Sequence, residues 1–185
     1  MVIPAPWATL SADEKRLRTL AVADELFARD GVEVPMPALA AALGVGVGSI
    51  YRQVGSKDDV IAALVIARAQ TLAARFTAAL DEADAWAALQ RVTRETVDEC
   101  VDDFLSQSAW DAAASGQPAV VAARQGATDA IAALVARARA QGALHPDASH
   151  EDLRMVFMAI RQLGSLGRPG AQRLAAVVLR GMAAS

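Results

Sequence analysis

Cysteine is almost absent from this sequence: the 185 residues hold one, Cys100, beside only two histidines, His145 and His150. One thiol excludes an intramolecular disulfide and a cysteine-cluster metal site, and two histidines leave little for a metal centre. No metal and no cofactor is expected. Aromatic residues make up 4% of the chain. Strands favour aromatic and β-branched residues, so this scarcity argues against an all-β protein. No charge of one sign dominates either, the formal net charge being −3. High apolar content with so small a net charge argues against disorder, and the mild acidity does not by itself suggest a nucleic-acid partner. The longest strongly apolar stretches, such as Val60 to Ala67, are far shorter than the roughly 20 residues a bilayer demands. Met1 to Trp7 holds two prolines and no basic residue ahead of an apolar run, unlike a signal peptide. A cytoplasmic setting is the default expectation.

Alanine is what the chain has in excess: 44 residues, within a hydrophobic share of 54%. Alanine is the best helix former, so an all-α fold is expected. Sixteen of the 18 basic residues are Arg, which with the alanine count suggests a GC-rich genome. Ser11 followed by Asp13 and Glu14 is a helix-start signal, and Leu20, Ala23, Leu26 and Phe27 recur at helical spacing up to a stop near Asp30-Gly31. Pro37 to Leu43 reads as a short helix closed by Gly44, and Val45 to Val54 as another, broken at Gly55. Ser56 with Asp59 has capping-box spacing, and helical patterning runs from there to about Leu80. Further helices are expected from Asp84 to about Gln107, briefly around Trp110, from Ala119 to Gln141, from the Ser149 cap to about Leu163, and from Ala171 to Ala184. A loop is expected over 164–170. That makes nine helices and no credible strand.

The informative region is 16–64, where three helices fall within a short span and the last two join around Gly44. A helix-turn-helix has this layout. The residues run Ala21-x4-Leu26-Phe27-x3-Gly31, Leu39-Ala40-x2-Leu43-Gly44-Val45, Ser49-Ile50-Tyr51-Arg52-Gln53-Val54 and Ser56-Lys57-Asp58-Asp59. In these residues the chain resembles the Tet repressor (TetR) family of transcriptional regulators. The resemblance covers about a quarter of the chain in detail and the rest by helix plan and length.

The resemblance implies a DNA-binding head over 1–56 and a helical ligand-binding and dimerisation body over 57–185. It implies that Tyr51, Arg52 and Lys57 contact the DNA backbone, and that Gly46, Val47, Gly48 and Ser49 face bases. The chemistry suits these roles. A tyrosine hydroxyl and a guanidinium both reach phosphate, and a lysine at a helix start adds charge to backbone N–H groups that already favour an anion. Val47 against a thymine methyl, Ser49 and Gln53 would supply most of the base readout. The alternatives are that Tyr51 simply packs in the head and that Lys57 is a solvated surface residue.

The chain departs from the family pattern in three places. Val34-Pro35-Met36-Pro37 lacks the hydroxyl residue with which many members start the first helix of the pair. Gly46 and Gly48 stand where side chains usually face bases. Residues 1–60 carry six basic groups against eight acidic ones, a balance of −2. With two or three cations per subunit on phosphates, a dimer would neutralise about 4–6, giving a slope of log affinity against log salt of roughly −4 to −5.

In the body, Phe76, Trp86, Phe104, Trp110, Met155, Phe157 and Met158 are candidates to line an effector cavity, with plain core as the alternative for each. Arg161 and Gln162 sit on an otherwise apolar helix and either orient a ligand or lie at a subunit contact. Cys100 is expected to be a small buried residue. The resemblance implies a homodimer through the last two helices, and a pseudo-palindromic operator read by two recognition helices. No Ser-His-acid constellation is visible, and no enzyme is expected. The function expected is a ligand-responsive transcriptional regulator, a repressor released by a small apolar effector. The alternative is a helical binding or interaction protein that has lost specific DNA recognition.

Overall fold

The computed structural model describes residues 6–102, 117–162 and 167–184. Among these residues eight α-helices form, and no strand: α1 (Ala12–Asp30), α2 (Met36–Leu43), α3 (Val47–Val54), α4 (Lys57–Ala78), α5 (Ala85–Asp102), α6 (Pro118–Ala140), α7 (His150–Gln162) and α8 (Gly167–Met182). The expected short helix around Trp110 and the end of the preceding one lie outside the described residues.

Local signals set most of the boundaries. The Ser11 hydroxyl accepts the Glu14 backbone N–H at 3.2 Å, and the Glu14 carboxylate accepts the Ser11 N–H at 2.7 Å. The same reciprocal box recurs at Ser56 and Asp59, where α4 starts. It satisfies donors that a helix start otherwise leaves orphaned. Gly44 takes the left-handed conformation (φ 67, ψ 32) that closes α2, and after Val45 and the extended Gly46 α3 begins at Val47.

Two boundaries differ from expectation. Gly46 is extended (φ −70, ψ 142) and caps α3, so the helix begins at Val47 rather than Val45. The helix α8 begins at Gly167 rather than Ala171. Pro169 falls in its first turn, where a missing N–H costs nothing, and Arg168 pairs with Asp98 of α5 at 2.7 Å.

The helices pack around two cores. The head core gathers Ala23, Phe27, Leu39, Ile50 and Val54 with Val60, Ile61 and Val65 from the first half of α4. The body core gathers Phe76, Leu89, Val92, Leu134, Leu153, Phe157 and Leu179. Helix α6 serves both: Val120 at its start is fully buried in the head core, while Ile131, Leu134, Val135 and Ala138 lie in the body core. Its contact with α4 is the most extensive between any two helices. The body is closed by polar clamps. The Gln141 side chain accepts the Ala85 N–H and donates to the Ala83 carbonyl, both at 2.9 Å, and the Ala184 N–H donates to the Ala143 carbonyl at 3.0 Å.

The expectation that no apolar stretch is long enough to span a bilayer is corrected at the level of helices. Lys57–Asp81 and Pro118–Ala140 are long and apolar enough to cross a membrane by length and composition. The reason is alanine, which raises mean hydropathy without bulk. Here both helices bury their apolar stripes against each other and the two cores.

Candidate functional site

The first candidate site is the outer face of α3. Ile50 and Val54 are buried and hold the helix on α1 and α2. The opposite face carries the residues singled out from the sequence. Gly46, Val47, Gly48, Tyr51 and Arg52 are exposed, Tyr51 to 50%, and Ser49 and Gln53 are partly so. Tyr51 is thus presented to solvent rather than packed in the head. The Arg52 guanidinium donates to Ser49 Oγ at 3.3 Å, which holds both over the start of the helix. A Cβ added at Gly46 or Gly48 would meet nothing within 4 Å, so packing does not require either glycine. Lys57 is the first residue of α4, two positions beyond the Gly55 turn, and its ammonium lies 3.7 Å from Glu33. Glu33 is almost wholly solvated, so that pair is easily exchanged for another anion.

The acidity of the head is arranged around this face rather than on it. Helix α3 holds Arg52 and no acid. Glu14 and Asp59 serve as caps, and Asp24 and Asp30 pair with Arg68 and Arg29 at 2.6 Å each. Hydrogen bonds from Ser11, its backbone N–H foremost, hold the Glu14 carboxyl below its ordinary range. Bonds from the Ser56 hydroxyl and N–H do the same for Asp59.

The second candidate site is a cavity of about 580 Å³ where the head meets the body. Helix α1 contributes Asp24, Glu25 and Ala28; α4 contributes Leu64, Ala67, Arg68, Thr71 and Leu72. Thr96, Glu99 and Cys100 come from α5, and Arg161 from α7. Arg75 grips Glu99 through both terminal nitrogens, one bond at 2.8 Å, and that carboxylate raises the guanidinium's pKa. Cys100 is buried as expected, and it borders this cavity.

The aromatic and methionine candidates are placed elsewhere. Phe76 and Phe157 are buried in the body core, and Trp86 packs half-buried against it. Met155 and Met158 are exposed on α7, to 57% and 49%, and Gln162 is exposed beyond them. Phe104 and Trp110 lie outside the described residues. Of the pair left open between two roles, Arg161 borders the cavity and Gln162 does not. Sequence reasoning missed Asp24, Arg68, Thr96 and Glu99. Arg68 carried a signal, a charge inside the otherwise apolar run from Val60 to Ala69.

A three-helix head whose second and third helices meet at a left-handed glycine, with an outward polar face and one arginine on the third, has the layout of a helix-turn-helix. Residues 20–64 match the model of the tetR family of bacterial regulatory proteins. The whole fold is similar to solved structures of transcriptional regulators, several of them named as TetR-family. A TetR transcriptional regulator of Streptomyces coelicolor is 26% identical with a TM-score of 0.69, over 92% of this chain and 99% of that one. A putative transcriptional regulator of Saccharomonospora viridis, solved with choline, is 19% identical with a TM-score of 0.71, over 94% and 100%. A ketosteroid transcriptional regulator of Mycobacterium tuberculosis is 19% identical with a TM-score of 0.68, over 92% and 96%. No curated protein matches the chain. Residues 20–64 are a TetR-family DNA-binding head by the match to the family model, and the solved structures that share the whole fold are named as transcriptional regulators.

Proposed function

We propose that the protein is an effector-responsive repressor that binds a pseudo-palindromic operator as a homodimer in the cytoplasm. The head would span 1–56 and the effector and dimer body 57–185. The observation that carries this reading is the outer face of α3, which presents Val47, Tyr51 and Arg52 to solvent with no acid on the helix. Tyr51, Arg52 and Lys57 reach phosphates in this arrangement. Gly46 and Gly48 let the backbone approach the groove, and Val47, Ser49 and Gln53 read bases. Dimerisation through α7 and α8 would cover Met155, Met158 and Val177, large apolar side chains that one chain leaves exposed. An effector in the body then shifts the spacing of the two heads, which must match successive major grooves.

The test is selection of bound sequences from a random DNA pool. A two-fold symmetric site is expected, with half-sites one turn of DNA apart. Lys57→Ala and Tyr51→Phe should weaken binding across all selected sequences alike, and the salt slope of the dimer should be roughly −4 to −5. A pool that enriches no sequence at low salt would refute the reading and leave a helical binding protein without DNA recognition.

A further inference from the structure

Resting on the proposal that an effector acts on this chain, we infer that the cavity between head and body binds a small molecule with one carboxylate on a short apolar body, and that this carboxylate takes Arg68 from Asp24. The volume of about 580 Å³ lies within the usual range for small-molecule sites. The lining decides the charge of the occupant. Five charged side chains border the cavity, the acids Asp24, Glu25 and Glu99 and the bases Arg68 and Arg161. The acids lie outermost: Glu25 is exposed, and Glu99 is 60% exposed and already held by Arg75. The guanidinium groups are the less exposed. Arg68 is 25% exposed on its side chain, against 42% for Asp24, and Arg161, from α7, is half-buried. With Glu25 solvated and Glu99 held by Arg75, these guanidinium groups are the charges an anionic group would meet. Leu64, Leu72 and the Cys100 side chain supply apolar surface for the rest of the molecule.

The protein carries its own stand-in for that anion. Asp24 Oδ1 sits 2.6 Å from Arg68 Nη2, at the place a ligand oxygen would take. A guanidinium binds a carboxylate through two parallel bonds, so an incoming carboxylate competes with Asp24 on equal chemical terms. The exchange is not neutral for the fold, because Asp24 belongs to α1 of the head and Arg68 to α4. Occupancy would unlink that ion pair, leaving the apolar contact of α1 with α4 in place, and put Asp24 beside a second anion. A ligand that binds the unlinked state better shifts the population toward it.

The test is calorimetric titration of the full chain, without DNA, with sodium carboxylates. The panel runs from butyrate to dodecanoate in the straight-chain series and adds benzoate and phenylacetate. Alcohols and amines of the same skeletons serve as controls. At least one carboxylate should saturate a single site per chain, with its alcohol and amine about tenfold weaker or more. Arg68→Gln should lose about tenfold in affinity, with helix content checked by circular dichroism. Asp24→Asn removes the internal competitor and should tighten binding several-fold, a gain that a merely destabilised fold would not produce. Silence from every carboxylate, preference for an amine, or unchanged or weaker binding by Asp24→Asn would each overturn the inference. Operator affinity of the ligand-free protein is a separate reading. Failure here leaves the DNA-binding proposal standing, and failure there leaves this one.

Discussion

Val120 is the point at which the body reaches into the head, and its truncation is the sharpest probe of how the two are joined. It is fully buried among head residues although it opens α6, a helix whose other buried residues from Ile131 onward belong to the body core. Val120→Ala removes two methyl groups. At about 0.8 kcal/mol per buried carbon the transfer loss is about 1.6 kcal/mol. A cavity that the head cannot collapse adds about 1 kcal/mol. For a chain of this length each kcal/mol moves Tm by about 2–4 °C, so a fall of about 4–10 °C is expected. Val121 provides the control, being the next residue on the same helix and 55% exposed. Val121→Ala should stay within about 0.5 kcal/mol of the parent. Thermal unfolding by circular dichroism reads both. Amide exchange adds a second reading: in Val120→Ala the amides of α1 to α3 should lose protection while those of α7 and α8 keep theirs. Equal shifts from the two variants would refute the placement of Val120. Uniform loss of protection along the chain would refute its role as a local link.

Two further outcomes follow from the turn and caps that flank α3. Gly55 has φ +79, and a Cβ there would lie 2.5 Å from Asp59 Oδ2, so Gly55→Ala should destabilise by roughly 1–3 kcal/mol in urea titration. Gly48→Ala, with nothing within 4 Å, should not destabilise, and equal losses from the two would contradict the turn geometry. The carboxyls of Glu14 and Asp59 are held low in the folded state, so their caps contribute fully above the unfolded value near 4 and are lost as pH falls through the lowered folded values. Ser56→Ala should return the Asp59 titration, followed by NMR, toward the ordinary carboxylate range. An unmoved midpoint would show that Ser56 is not the cause.

The head was legible because its determinants are local. Ser11 and Glu14, Ser56 and Asp59, and Gly44 between two short helices each act within a few residues, and each acts in the structure as its spacing implies. The head's charge was harder to read. A balance of −2 over residues 1–60 suggests a surface hostile to DNA, yet a sum says nothing about placement. Glu14 and Asp59 are at helix N-termini, where the backbone dipoles favour an anion, and α3 itself carries only Arg52. That 47–54 is free of acid was legible in the sequence, but that Glu14 and Asp59 are taken up as caps and Asp24 and Asp30 as ion-pair partners is a property of folded geometry.

The body resisted for the opposite reason. Large apolar residues at helical spacing mark the inside of a helix without saying whether the inside is solid or hollow. Among the described residues, small side chains let α4 and α6 run closely side by side, and Phe76 and Phe157 are buried in the body core. The open space instead falls where two cores meet and helices diverge. Its borders come from α1, α4, α5 and α7, with Asp24 and Arg68 paired across 44 positions of sequence. No periodicity in one helix can announce such a site. What the sequence does show is a cost, an arginine amid Val60 to Ala69 that spoils an apolar stripe. A charge at such a position needs a partner, and finding the partner on the head rather than the body turns a packing irregularity into a link between the two.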